Sequence, residues 1–179
     1  MARVKKESFK IYKIISVIAI IIAVIALAQP YFSKVDIRTP LLPIEELSTQ
    51  GYTKIDVKVS TSGNVGVVVI EGGCYQLTAT TEVSQVESIA SGQEGKVGFR
   101  PMTHDLFKDV LESLNIDVVM VKIVDIQNNT YIGRLILKQG DKVVSLDSRP
   151  SDGIAVAVRV HAPIYMKDEL LKTQGKYVC

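Results

Sequence analysis

The stretch DVVMVKIVDIQNNTYIGRLILKQGDKVVSLDSRPSDGIAVAVRV, residues 117–160, decides the fold. It opens with three apolar, β-branched runs: DVVMVKIVDI, then YIGRLILKQ after the turn residues NNT, then KVVSLDS after Gly140-Asp141. Val and Ile pack well on a pleated surface, and Asn, Gly and Asp supply the backbone conformations of tight reversals, so an antiparallel meander is expected. Past Arg149-Pro150 a helix is expected from Ser151 to about Val160, with Ser151 as its N-cap and Asp152 in the first turn, where the helix dipole favours an anion.

The same order stands upstream. IDVKVS alternates from Ile55 to Ser60, SGN at 62–64 has turn chemistry, VGVVVIEG is β-branched, and CYQLTATT follows Gly72-Gly73. The period then becomes helical through Val83, Val86, Ile89 and Ala90, ending at Gly92 and Gly95, and a second helix starts at RPMTHDLFKDVLESL with Thr103 as N-cap and Asp105 in its first turn. Downstream, APIYM reads as a short extended piece and KDELLKT as a last amphipathic helix. Two successions of three strands and two helices make an α+β fold with a largely antiparallel sheet.

The N-terminal region is of another kind. From Ile11 to Pro30 the run IYKIISVIAIIIAVIALAQP is apolar except at a few positions, and Arg3, Lys5, Lys6 and Lys10 precede it. That length and that cationic flank predict a single transmembrane helix with its N-terminus in the cytoplasm. The expected organisation is a basic cytoplasmic tail (1–10), a transmembrane helix or uncleaved signal anchor (11–29), a linker (30–51) and one domain (52–175) on the outer side. Ala26-Leu27-Ala28 also fits a signal peptidase site, and cleavage there would release the domain as a secreted protein.

Five of the 21 basic residues and one of the 19 acids lie before Pro30, so the remainder holds 16 basic and 18 acidic residues. A mildly acidic domain lacks the basic surface that strong nonspecific nucleic-acid binding requires. Cys74 and Cys179 could pair in an oxidising compartment, but no spacing motif calls for it, and no Cys/His cluster suggests zinc. Asn128, within the sequon N-N-T, reads first as a turn residue.

Candidate chemistry gathers at the two helix starts. Arg100 and Arg149 each precede a proline at the positive end of a helix dipole, a position that calls for a compensating acid or an anionic ligand. Asp147 and Asp152 flank Arg149 and could either form a structural ion pair or hold a divalent cation that bridges to a phosphate. His104, beside Asp105, is a candidate general base for water, whereas His161 reads as a cation near helix C-terminal carbonyls. Ser151 lacks the G-x-S-x-G setting of a nucleophile.

RPMTHDLFKDVLESL, the meander and LDSRPSDGIAVAVRVHAPIYM together resemble the bifunctional nuclease domain family, with its R-P-x-T-H-D-L and D-x-R-P-S-D-A-[IL]-A-[LI]-A-x-R-x-x-A-P-[IL] patterns. Arg100, Pro101, Thr103, His104, Asp105, Leu106, Asp147, Arg149, Pro150, Ser151, Asp152, Arg159, Ala162 and Pro163 fall on those patterns, and the likeness runs from about Tyr52 to Leu171. It implies one barrel-like sheet built from the two repeats, and nuclease activity on DNA and RNA. The chain departs from the family at LTATTEVSQVESI, where Glu82 stands near a usual glycine and Gln85 near a usual glutamate, at Gly153 in place of an alanine, and in its membrane segment.

The expected function is thus a membrane-anchored, metal-assisted phosphodiesterase. Asp147 and Asp152 would hold magnesium or manganese, Arg100 and Arg149 would neutralise phosphate, and His104 with Asp105 would activate or orient water. The partners to expect are nucleic acid, the membrane through Ile11 to Ala28, and further copies of the chain in a homo-oligomer. Two alternatives stay open: a non-catalytic membrane-tethered binding or assembly module that retains the fold, and a hydrolase of small phosphorylated molecules, marked by a closed pocket at the Asp147–Asp152 turn.

Overall fold

The computed structural model describes residues 45–179 together with Val17, Ile18 and Ile20. The expected membrane span from Ile11 to Ala28 therefore lies outside the described residues, apart from those three. Among the described residues no helix is long and apolar enough to cross a membrane.

After a 3-10 turn at Glu45–Leu47 come strands β1 (Tyr52–Lys54), β2 (Asp56–Ser62), β3 (Val65–Gly72) and β4 (Tyr75–Thr81), then helices α1 (Val83–Gln93) and α2 (Thr103–Ser113). The second half runs β5 (Asp117–Gln127), β6 (Thr130–Gln139), β7 (Lys142–Ser148), α3 (Pro150–Val160), β8 (Ile164–Lys167), α4 (Asp168–Gln174) and β9 (Lys176–Tyr177). The meander forms as the sequence indicates. Its β5–β6 hairpin turns at Asn128 and Asn129, both at positive φ (48° and 60°), as a type I′ turn requires of its two central residues.

The expected single barrel-like sheet is not what these strands build. They make an α+β fold with two sheets, one in the order β1-β8-β5-β6-β7 and one in the order β2-β3-β4-β9, and neither closes on itself. All pairings are antiparallel except β5 with β8. The two halves exchange their ends: β1 joins the sheet of the second half, and β9 joins the sheet of the first. Ile55 alone separates β1 from β2; it is buried, and its N–H donates to the Ile164 carbonyl at 2.9 Å, so the chain passes from one sheet to the other at that residue.

Alternation along the strands sends Val68 and Ile70 of β3, Val121 and Ile123 of β5, and Leu135 and Leu137 of β6 into one core. There they meet Val86 and Ile89 of α1, Leu111 of α2, and the almost wholly buried face of α3, from Gly153 to Ala157. Helix α3 packs on β5 and β6, α1 on β2 and β3, and both α1 and α2 touch α3. Gly133 of β6 permits the β7–α3 corner to pass over the strand, since a Cβ there would lie 2.7 Å from the Ser148 carbonyl oxygen and 3.2 Å from the Pro150 nitrogen.

Both helix starts lie earlier than the sequence suggests. The N-cap of α2 is Met102 and that of α3 is Arg149, with Thr103 and Pro150 as the first helical residues; neither cap uses a side-chain hydrogen bond. Proline fits the first helical position because its missing N–H is not needed there and its φ is already helical, which draws the start of α3 ahead of Ser151. At α2 the capping work falls to Asp105, whose Oδ2 accepts from the Met102 N–H at 2.8 Å. His161 ends α3 in the left-handed conformation (φ 57°), so its part at that terminus is that of a backbone cap.

Cys74 and Cys179 form a disulfide, against the reading from their spacing. The two-residue strand β9, too short to be read in the sequence, pairs Tyr177 with Tyr75 and Lys176 with Gln76, and Val178 N–H donates to the Cys74 carbonyl. That pairing brings the two cysteine Cα atoms within 5.2 Å.

Candidate active site

Three helices bring one connected set of polar side chains together at the edge of the core. Arg159 near the end of α3 and Asp105 at the start of α2 form a buried ion pair, Nε to Oδ1 at 2.6 Å, with side chains 3% and 9% exposed. Arg159 Nη1 also donates to the carbonyls of Ala155 (2.7 Å) and Ser88 (2.9 Å), and Nη2 reaches the Ser88 Oγ at 3.4 Å. The Ser88 Oγ, from α1, lies 2.8 Å from His104 Nδ1. On the outer side of the ring, His104 Nε2 faces Asp152 Oδ1 at 3.4 Å.

Glycine at position 92 makes this approach of α1 and α3 feasible: a Cβ there would lie 2.7 Å from Arg159 Nη1 and from a Val158 methyl. Burial raises the pKa of Asp105, but the Arg159 hydrogen bond, the Met102 N–H and the Arg159 charge outweigh it and hold the carboxyl below its ordinary range. With Oδ1 on Arg159 and Oδ2 on the Met102 N–H, Asp105 anchors the arginine and the start of α2. Access to solvent falls to the His104–Asp152 pair, whose side chains are 16% and 39% exposed.

The Ser88 hydroxyl accepts from Arg159, so its own proton is free to point at His104 Nδ1. With Ser88 donating to Nδ1, the tautomer that places the ring proton on Nε2 would direct it at Asp152 and solvent. A donor and a carboxylate then stand side by side at an accessible edge, the two groups that acid–base cleavage of a phosphoester needs.

The other expected site residues are placed differently. Asp147 on β7 pairs in register with Arg134 of β6, which pairs with Lys122 of β5, and Asp147 Oδ1 meets Arg134 Nη1 at 3.4 Å. Directly paired residues share a sheet face, and this one is opposite to the face on which Val121 touches Gly153 of α3. The sheet therefore separates Asp147 from Asp152. Among the described residues no group of three or more His, Cys, Asp or Glu side chains could hold a metal ion. The donors present do not fit the two-aspartate cation site read from the sequence.

The side chains of Arg100 and Arg149 make no hydrogen bond or ion pair among the described residues. Arg100 is exposed in the loop before α2, whereas Arg149 borders a cavity of about 310 Å³ between the sheets and the start of α3. In the altered first-half motif, Glu82 is the N-cap of α1 without a side-chain hydrogen bond, and the Gln85 Oε1 is buried and unpartnered.

Two members of the network carried no expected role. Arg159 had a signal, as the one cation inside the apolar run GIAVAVRV; Ser88 had none, because one serine in VSQVESIASGQ looks like any other.

The bifunctional nuclease domain model matches residues 71–178, which cover helices α1 to α4 and the whole polar network. The chain belongs to the bifunctional nuclease domain family. An uncharacterized protein of Mycobacterium tuberculosis is 38% identical over 92 residues, 51% of this chain and 54% of the relative. Bifunctional nuclease 2 of Arabidopsis thaliana is 35% identical over 82 residues, and bifunctional nuclease 1 of Oryza sativa subsp. japonica 29% identical over 79. The chain spans about half the length of the mycobacterial relative and about a quarter of each plant relative. Within the bifunctional nuclease domain family, then, this chain combines the shared domain with a His104–Asp152 edge braced from behind by Ser88, Arg159 and Asp105.

Proposed function

We propose that this chain is a nuclease that hydrolyses phosphodiester bonds of DNA and RNA at the His104–Asp152 edge. The observation that carries the reading is the orientation of His104: Ser88 and Arg159 fix Nδ1 from the buried side, while Nε2 and the Asp152 carboxylate face solvent together. Asp152 takes the proton of the attacking water as the new P–O bond forms. His104 Nε2 gives its proton to the leaving oxygen as the old P–O bond breaks. Arg149, one turn-start away on the same helix, supplies positive charge for the phosphoryl oxygens. The plant relatives' names point the same way.

Magnesium or manganese would have to be held differently from the sequence expectation. Asp152 is the one carboxylate of the expected pair on the correct face, and such ions are commonly bound by one or two carboxylates together with substrate phosphates. We place the domain, from about Tyr52, outside the membrane, tethered through Ile11 to Ala28. The Cys74–Cys179 disulfide supports an oxidising compartment.

The test uses the purified full chain with labelled single-stranded DNA and RNA, with magnesium or manganese or a chelator, beside Asp152→Asn. The expected result is cleavage that falls at least tenfold in Asp152→Asn. Equal cleavage by the variant removes Asp152 from the chemistry, and equal cleavage in chelator removes the metal.

A second reading is favoured by one feature. Met102, Leu106, Val110 and Leu114, four residues apart, leave an apolar stripe of α2 exposed, with Phe99 fully exposed just before it. In a non-catalytic assembly module this stripe would join further copies of the chain. A defined oligomer that Leu106→Glu dissolves, in a protein that never cleaves nucleic acid, is the result that would favour it.

A further inference from the structure

The cavity beside Arg149 includes neither His104 nor Asp152, and its lining has a chemistry of its own. Ile70, Ile123 and Ile154 form its apolar floor, one from each sheet and one from α3, and Tyr131 adds an aromatic wall. Thr81 and Ser151 are among the hydroxyl side chains of its lining, and Arg149 is the only charged residue that lines it among the described residues. No carboxylate lines it, so the arginine, unpaired among the described residues, gives the cavity a net positive character. At about 310 Å³ it lies at the small end of the range of ligand pockets, which run from roughly 300 to 1,000 Å³. Its position also matters: Ser151 lines the cavity while the next residue, Asp152, faces His104, so one helical turn borders both places.

An apolar and aromatic interior with one cation at its margin suits a small molecule with a flat, weakly polar body and a single anionic group. We infer that the cavity binds one nucleoside monophosphate unit, its base against Tyr131 and the isoleucines and its phosphate at Arg149 and the first-turn amides of α3. Pro150 has no N–H and Gly153 donates to the Arg149 carbonyl, so the amides in question are those of Ser151 and Asp152, which the phosphate would complete. The inference rests on the nuclease reading and sharpens it. A strand would be engaged through one terminal nucleotide, placed so that its phosphate lies next to Asp152, and cleavage would release mononucleotides.

The experiment measures binding of adenosine 5′-monophosphate to the full chain by calorimetry, and by backbone amide shifts at Thr80, Thr81 and Ser151. Adenosine, inorganic phosphate and butyl phosphate serve as comparison ligands, and Arg149→Gln and Tyr131→Leu as variants. The expected result is saturable binding of the nucleotide with shifts at those amides, weakened at least tenfold by Arg149→Gln and clearly weakened by Tyr131→Leu. Should either variant not fold, the amide shifts of the unaltered protein decide. Absence of nucleotide binding, shifts elsewhere, or equal affinity for butyl phosphate would overturn the inference. Its failure is separable from that of the nuclease reading: nucleotide binding without strand cleavage removes only the nuclease, and cleavage without nucleotide binding removes only this cavity's role.

Discussion

Replacing Asp105 with asparagine should destabilise the domain by about 3–5 kcal/mol, the usual loss when one partner of a buried ion pair is removed. The reason is the position of Arg159: its guanidinium is almost fully buried, and Asp105 carries the charge that balances it. The carbonyls of Ser88 and Ala155 still accept from Nη1 in the variant, but dipoles do not neutralise a buried cation. Loss of the Oδ2 contact to the Met102 N–H would also loosen the start of α2, which carries His104. Urea unfolding of the two proteins measures the difference, and a loss below about 1 kcal/mol, the range of an exposed pair, would show that the pair is not buried in solution.

The pH dependence has a definite sign. The folded carboxyl titrates below the ordinary value of 3.8, so its contribution is fully present above that value and is lost as pH falls through the depressed folded pKa. The stability gap between the native protein and Asp105→Asn should therefore be constant near neutrality and shrink only under acid below about pH 4.

The disulfide is expected to contribute on a similar scale. It closes a chain separation of 105 residues, and chain entropy for a loop near 100 residues corresponds to about 4–5 kcal/mol at 25 °C. What it restrains is small: β9 has only two residue pairs with β4 and one edge-on ring contact, Tyr75 to Tyr177 at 5.7 Å. Such a strand has little hold of its own, so in Cys179→Ser the end of the chain should fray from β4 as global stability drops. Hydrogen exchange at Lys176 and Tyr177, together with unfolding with and without reductant, measures both effects. Identical unfolding curves in the two conditions would show that the bond is not formed.

The same features show where the sequence was legible. β-branched runs punctuated by Asn-Asn and Gly-Asp give the meander, and the apolar periods of α1 to α3 give the helices, because period and turn chemistry are local properties. The exchange of β1 and β9 between the sheets was not legible. Strands of three and two residues carry no period, and their partners are set by tertiary packing. The reversed face of Asp147 has the opposite character: the period-2 rule contained it, but only once the register of β7 with Arg134 was known. At the site, His104 stood out as a candidate base and Asp152 as an acid, both at helix starts, whereas Ser88 acquires its place only from the close passage of α1 over α3 at Gly92.

The decisive measurement is the cleavage rate of His104→Gln on labelled RNA and single-stranded DNA, in a protein shown by unfolding to be as stable as the native chain. If His104 Nε2 is the proton donor of a phosphodiesterase, the rate should fall by about 10²- to 10⁴-fold with nucleotide binding at the Arg149 cavity retained. An undiminished rate would contradict the assignment and move the chemistry away from the His104–Asp152 edge.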